Sequence, residues 1–100
     1  MPLGSALYPM YYVAMAKICR EHGYALGVHG SLGRDFDVVA VPWVQEASSE
    51  DVLIEALKTT GFMEGNPSQK DGPHGRRRYV FIGYGSEESG YIDFSVMPIR

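Results

Sequence analysis

The chain predicts a small α+β domain, with a mixed or antiparallel sheet of about four to five strands and two helices packed on one face. Three observations carry that expectation. Two segments repeat apolar residues at helical spacing, four segments alternate or concentrate β-branched and aromatic residues, and glycine or proline stands at most boundaries between them. With 100 residues, 45% hydrophobic and 21% charged, residues 1–100 have room for one core and one domain.

The elements follow in order. Residues 1–7 show no periodicity and read as a loose N-terminal arm. From Pro9 to His22, Tyr11, Ala14, Met15, Ile18 and Cys19 fall on one helical face, with proline suited to the first turn and Gly23 to the stop. Tyr24 to His29 reads as a strand, Gly30-Ser31-Leu32-Gly33-Arg34 as a tight turn, and Asp35 to Val41 as a second strand ended by Pro42. The two strands would form a hairpin.

Ser48 and Asp51 have the spacing of a capping box, so a helix is expected from about Ser49 to Thr60, burying Leu53, Ile54 and Leu57 and ending at Gly61. Glu64 to Gly75 is crowded with Gly, Pro, Asn, Ser and Asp and reads as an exposed loop. Two further strands, Arg77 to Ile82 and Tyr91 to Met97, are joined through Gly83 to Gly90.

Composition narrows the function classes. A formal net charge of -3 argues against duplex nucleic acid, whose binding needs a basic face. One cysteine, Cys19, excludes an intrachain disulfide framework and a cysteine zinc cluster, and fits a reducing, cytoplasmic setting. No apolar run approaches the ~20 residues of a membrane helix, so a membrane partner is not expected.

The chemistry concentrates in the carboxylates. Side chains alternate across a strand, so Asp35, Asp37, Val39 and Val41 share one face while Phe36, Val38 and Ala40 share the other. The same parity sets Tyr91, Asp93 and Ser95 opposite Ile92, Phe94 and Val96. If the two strands are neighbours, three carboxylates converge and repel unless a cation sits between them; oxygen donors of this kind suit Mg²⁺ or Mn²⁺. The alternative is three separate roles: Asp35 in the turn, Asp37 paired with an arginine, and Asp93 solvated at an edge.

The run Val28-His29-Gly30-Ser31, then Asp35-Phe36-Asp37-Val38, then Tyr91-Ile92-Asp93-Phe94 resembles the nucleotidyltransferase (DNA polymerase β-like) superfamily. The resemblance covers roughly residues 24 to 97. It implies transfer of a nucleotidyl group from a nucleoside triphosphate through two divalent metals. Asp35, Asp37 and Asp93 would be the catalytic metal ligands, and Gly30 and Ser31 the triphosphate contacts, with Arg34 beside them. The chain also resembles small bacterial and phage-encoded proteins of unassigned function, through segments such as Ala40-Val41-Pro42-Trp43 and Pro73-His74-Gly75-Arg76.

Arg76, Arg77 and Arg78 concentrate cation in an acidic chain. Arginine forks suit phosphate, and parity sends Arg76 and Arg78 to one face and Arg77 to the other, so Arg76 or Arg78 would assist a phosphate ligand. His29 and His74 lack metal-ligand spacing, and Cys19 sits on an apolar helix face with no motif to activate it.

The leading expectation is therefore a minimal nucleotidyltransferase-like domain that binds divalent metal and a nucleoside triphosphate or another phosphate ligand. Two alternatives remain open. One is an inactive version of the fold that binds a protein partner through Tyr8, Tyr11, Tyr12 or Trp43; the other is a nucleic-acid binder working through Arg76 to Arg78.

Overall fold

The computed structural model describes residues 6–30 and 35–99. Helix α1 spans Tyr8–Glu21, with proline in its first turn, and ends where Gly23 turns at φ 87°. Its repeating apolar positions bury Tyr8, Tyr11, Met15, Ala16 and Cys19. Ala6 and Leu7 form a 3₁₀ turn leading into α1, and Leu7 packs against the core, so the part of the expected arm that is described is not loose. Residues 1–5 lie outside the described residues.

Strands β1 (Tyr24–His29) and β2 (Asp35–Pro42) pair antiparallel, as the expected hairpin requires. Helix α2 covers Glu50–Leu57 and tightens into a 3₁₀ turn, Lys58–Thr60, before Gly61 at φ 90° ends it. Its cap is one residue later than the spacing suggests. Ser49 Oγ accepts from the Val52 N–H at 3.4 Å, because the Ser48 hydroxyl is engaged by His22 Nδ1 at 2.9 Å.

The expected loop from Glu64 to Gly75 contains a strand. Strand β3, Ser68–Asp71, pairs antiparallel with β4, Arg77–Ile82, and every residue of β3 is exposed. It forms through backbone hydrogen bonding alone, with no apolar side chain to announce it. Strand β5, Tyr91–Val96, pairs antiparallel with β4 and parallel with β2. The sheet order is β1-β2-β5-β4-β3, which makes one mixed five-stranded sheet from the two hairpins.

One face of that sheet meets both helices. Phe36, Val38 and Ala40 from β2, Tyr79 and Phe81 from β4, and Ile92, Phe94 and Val96 from β5 join Tyr11, Met15, Leu53 and Leu57 in one buried cluster. Tyr8 stacks on Phe36 with ring centroids 4.8 Å apart, and Tyr11 stacks on Phe62 at 4.5 Å. This burial fixes the register of the central strands, because a slip of one residue would carry the whole apolar set to the other face. The opposite face of β2 and β5 thereby carries Asp35, Asp37, Val39 and Val41 beside Tyr91, Asp93 and Ser95.

Among the described residues, no helix is long and apolar enough to cross a membrane.

Candidate metal centre

The parallel pairing of β2 and β5 sets Asp35 opposite Tyr91, Asp37 opposite Asp93 and Val39 opposite Ser95. Each aspartate is held on the helix-free face by an apolar neighbour buried on the other: Phe36 and Val38 flank Asp37, and Ile92 and Phe94 flank Asp93. Carboxylate oxygens of Asp35, Asp37 and Asp93 all lie within 4.8 Å of one another. The adjacency of the two hairpins, on which the expected convergence of carboxylates depended, is therefore present.

Desolvation and repulsion both act on this group. Burial raises the Asp37 carboxyl above the ordinary carboxylate range, and the charges of Asp93 and Asp35 raise it further, while His29 and Arg78 pull it down. His29 is the Cα partner of Asp37 across β1 and β2, and its Nε2 is buried with no hydrogen-bond partner. Tyr8 approaches the cluster from α1, and its phenol is raised by burial first and by Asp35 and Asp37 next.

Asp93 is only 5% exposed, and Arg78 meets it with both ends of its fork. Arg78 Nε donates to Asp93 Oδ1 at 3.3 Å, and Nη2 donates to Oδ2. That hydrogen bond and the Asp93 charge hold the guanidinium firmly protonated. The expected edge position for Asp93 is thus replaced by a buried, paired one. Arg78 is a neighbour of the carboxylates, and strand parity alone could not show which of them it would engage.

Parity separates Arg77 from Arg78 within β4, while Arg76 precedes the strand. Arg77 turns to the helix side, where Nη1 lies 3.5 Å from Glu50 Oε2 and Nε lies 3.8 Å from Asp71 Oδ1. Tyr79 also donates its hydroxyl to Glu50 Oε2. Arg76 packs over Gly72, and its Nε is buried without a partner.

Gly30 closes the hairpin side of the cluster. It turns at φ 79°, and a Cβ built there would lie 3.1 Å from Asp37 Cγ and closer still to Oδ2. The absent side chain leaves a space that Asp37 fills. Ser31 and Arg34, the other residues expected to contact phosphate, lie outside the described residues.

The donor set fits a hard divalent cation. Around an octahedral Mg²⁺ at ~2.1 Å, adjacent ligands are about 3.0 Å and opposed ones about 4.2 Å apart, so three oxygens within 4.8 Å of one another would draw inward to share one ion. Arg78 already acts there as a cation toward Asp93. His74 lies on a separate exposed turn, away from the three aspartates.

Two of the aromatic anchors expected for a protein partner are core residues. Tyr8 is 5% exposed and Tyr11 is fully buried, with Tyr11 donating to the Ser89 carbonyl at 2.6 Å. Tyr12 is half-buried and donates to the Leu26 carbonyl at 2.9 Å. Trp43, 78% exposed, does stand at the surface. A scan against protein-family models finds no match to this chain, and a search of curated proteins finds none either.

Proposed function

We propose that the chain is a minimal nucleotidyltransferase-like domain that binds a divalent cation, Mg²⁺ or Mn²⁺, together with a nucleoside triphosphate or another phosphate ligand. One observation carries the reading: Asp37 and Asp93 share a rung of the parallel β2–β5 pair, with an Asp35 oxygen within 4.8 Å. The resemblance of the Gly30-Ser31, Asp35-Phe36-Asp37 and Asp93 segments to the superfamily adds the substrate class.

In this reading Asp35, Asp37 and Asp93 hold the cation, and Gly30 leaves room for the Asp37 carboxylate beside it. A bound cation would supply charge neutralisation of the phosphate oxygens at the reacting centre. The resemblance gives Asp93 the further role of helping to take a proton from an attacking hydroxyl. Nucleotidyl transfer is the reaction class: the attacking hydroxyl bonds to the α-phosphorus of a nucleoside triphosphate as the bond to the β-phosphate breaks and pyrophosphate leaves.

Equilibrium dialysis of Mn²⁺ and nucleoside triphosphates against the metal-stripped protein tests it. Wild type should retain both ligands, and folded Asp37→Ala and Asp93→Ala variants should lose them. Unchanged binding in those variants would end the proposal.

A second reading, a protein-binding surface, is favoured by the groove of about 490 Å³ between Val41–Gln45 and Met97–Ile99, where Trp43 stands among half-exposed Val41, Val44 and Ile99. Strictly monomeric behaviour, with Trp43→Ser changing no association, would count against it.

A further inference from the structure

We propose that Arg78 is the built-in counter-cation of this site: it holds Asp93 until a divalent cation takes that carboxylate, and is then released toward a phosphate group bound beside the cation. This rests on the reading of the acidic face as a cation site and describes how occupancy of that site is regulated.

The geometry of the pair sets up a competition. Arg78 engages both oxygens of Asp93, through Nε and Nη2, so a cation that takes Asp93 meets the guanidinium charge and competes with the fork for the same carboxylate. The contact is diagonal. The Cα partner of Arg78 on β5 is Ser95, and Asp93 stands opposite Val80. Arg78 passes over its own rung, where the Ser95 hydroxyl is buried without a hydrogen-bond partner, to reach the carboxylate two residues earlier. Charge, and not strand register, selects its partner.

The two side chains also differ in exposure. The Asp93 side chain is 7% exposed and that of Arg78 is 34% exposed, so the guanidinium is the partner of the pair that reaches solvent. With three carboxylates and one guanidinium, the cluster carries a formal charge of -2, which a divalent cation would neutralise. A phosphate brings new negative charge to the same face. The planar fork freed from Asp93 suits phosphate oxygens as well as it suits a carboxylate. Cation and phosphate binding should therefore be coupled through Arg78, each favouring the other.

The test is Mn²⁺ binding to the metal-stripped full chain, read from the electron paramagnetic resonance of free Mn²⁺, with and without inorganic phosphate. Arg78→Met removes the competing charge while keeping most of the apolar stem. It should bind Mn²⁺ alone about tenfold more tightly than wild type, a factor ordinary for coupled sites. Phosphate should tighten Mn²⁺ binding several-fold in wild type and leave Arg78→Met nearly unchanged.

Removing the guanidinium leaves Asp93 buried and unpaired, which can prevent folding. Arg78→Gln then decides by the same criterion, because it removes the charge while its side-chain amide can still donate a hydrogen bond to Asp93. Wild type binding Mn²⁺ as tightly as the folded Arg78 variant would overturn the role of Arg78 while leaving the cation site standing. No Mn²⁺ binding by wild type or by either variant would overturn both.

Discussion

Asp37 and Asp93 are Cα partners on adjacent parallel strands, so two carboxylates of one sheet face occupy a single rung. Like charges directly opposite one another destabilise a sheet unless something offsets them. Arg78 offsets Asp93, and burial together with Asp93 drives the Asp37 carboxyl toward its protonated form. A pair of this kind costs stability in the free protein, and a cation bound under the proposed function would offset that cost, so metal-dependent stability is the signature to measure.

Gly30→Ala should disturb the site from the turn. Alanine at φ 79° costs about 1–2 kcal/mol in backbone strain, and its methyl would press on the Asp37 carboxylate. Mn²⁺ affinity should fall roughly tenfold, as it does when supporting groups around a metal ligand are displaced. Circular dichroism and Mn²⁺ titration of the purified variant check the two effects separately; a folded variant with wild-type affinity would show that Gly30 does not shape the site.

Tyr79→Phe should lower stability by about 1 kcal/mol, the usual net worth of such a hydrogen bond, because Glu50 on α2 loses the hydroxyl donor that ties it to β4. Arg77 remains beside Glu50 and limits the loss. The urea midpoint should fall with little change in slope, and Mn²⁺ binding should be untouched, since the change lies on the helix side of the sheet.

Stability should decline above about pH 9. Burial pushes the Cys19 thiol from 9.0 up to about 12 and the Tyr11 phenol from 10.0 up to about 12. Burial also raises Tyr8, Tyr24 and Tyr79. Each of these acids has a folded pKa above its unfolded one, so the native state holds its protons more tightly. Unfolding then releases protons as pH rises from about 9 toward about 12, and the free energy of unfolding falls across that window. Urea midpoints measured from pH 8 to pH 11 check the sign, and a rising midpoint would contradict it.

How much was legible in the residues depends on whether a burial pattern announces the element. Strands β2 and β5 alternate polar and apolar residues, and α1 and α2 repeat their apolar positions, so their faces and the shared parity of the aspartates could be read directly. Strand β3 could not, because Ser68, Gln69, Lys70 and Asp71 bury nothing and pair only through their backbone. The cap of α2 was displaced by one residue because His22, distant in sequence, takes the Ser48 hydroxyl.

The candidate site divides in the same way. Convergence of Asp35, Asp37 and Asp93 required only parity and the adjacency of two strands. The grip of Arg78 on Asp93 required the β4–β5 register and a diagonal reach, neither of which a linear sequence displays. Tyr8 looked available as a surface anchor, and Tyr11 was read both as an anchor and as part of the apolar stripe of α1; both occupy the helix face that covers Phe36 and Phe62. A residue's type does not reveal which side of its helix will meet the sheet when aromatics crowd the first turns.

The most direct measurement is thermal unfolding of the metal-stripped protein with Mn²⁺ and nucleoside triphosphates, together and separately, for wild type and Asp37→Asn. A ligand that binds only the native state raises the midpoint by mass action. The account predicts a rise for wild type that is largest with Mn²⁺ and triphosphate together and is lost in Asp37→Asn. An unmoved wild-type midpoint, or an equal rise in the variant, would contradict it.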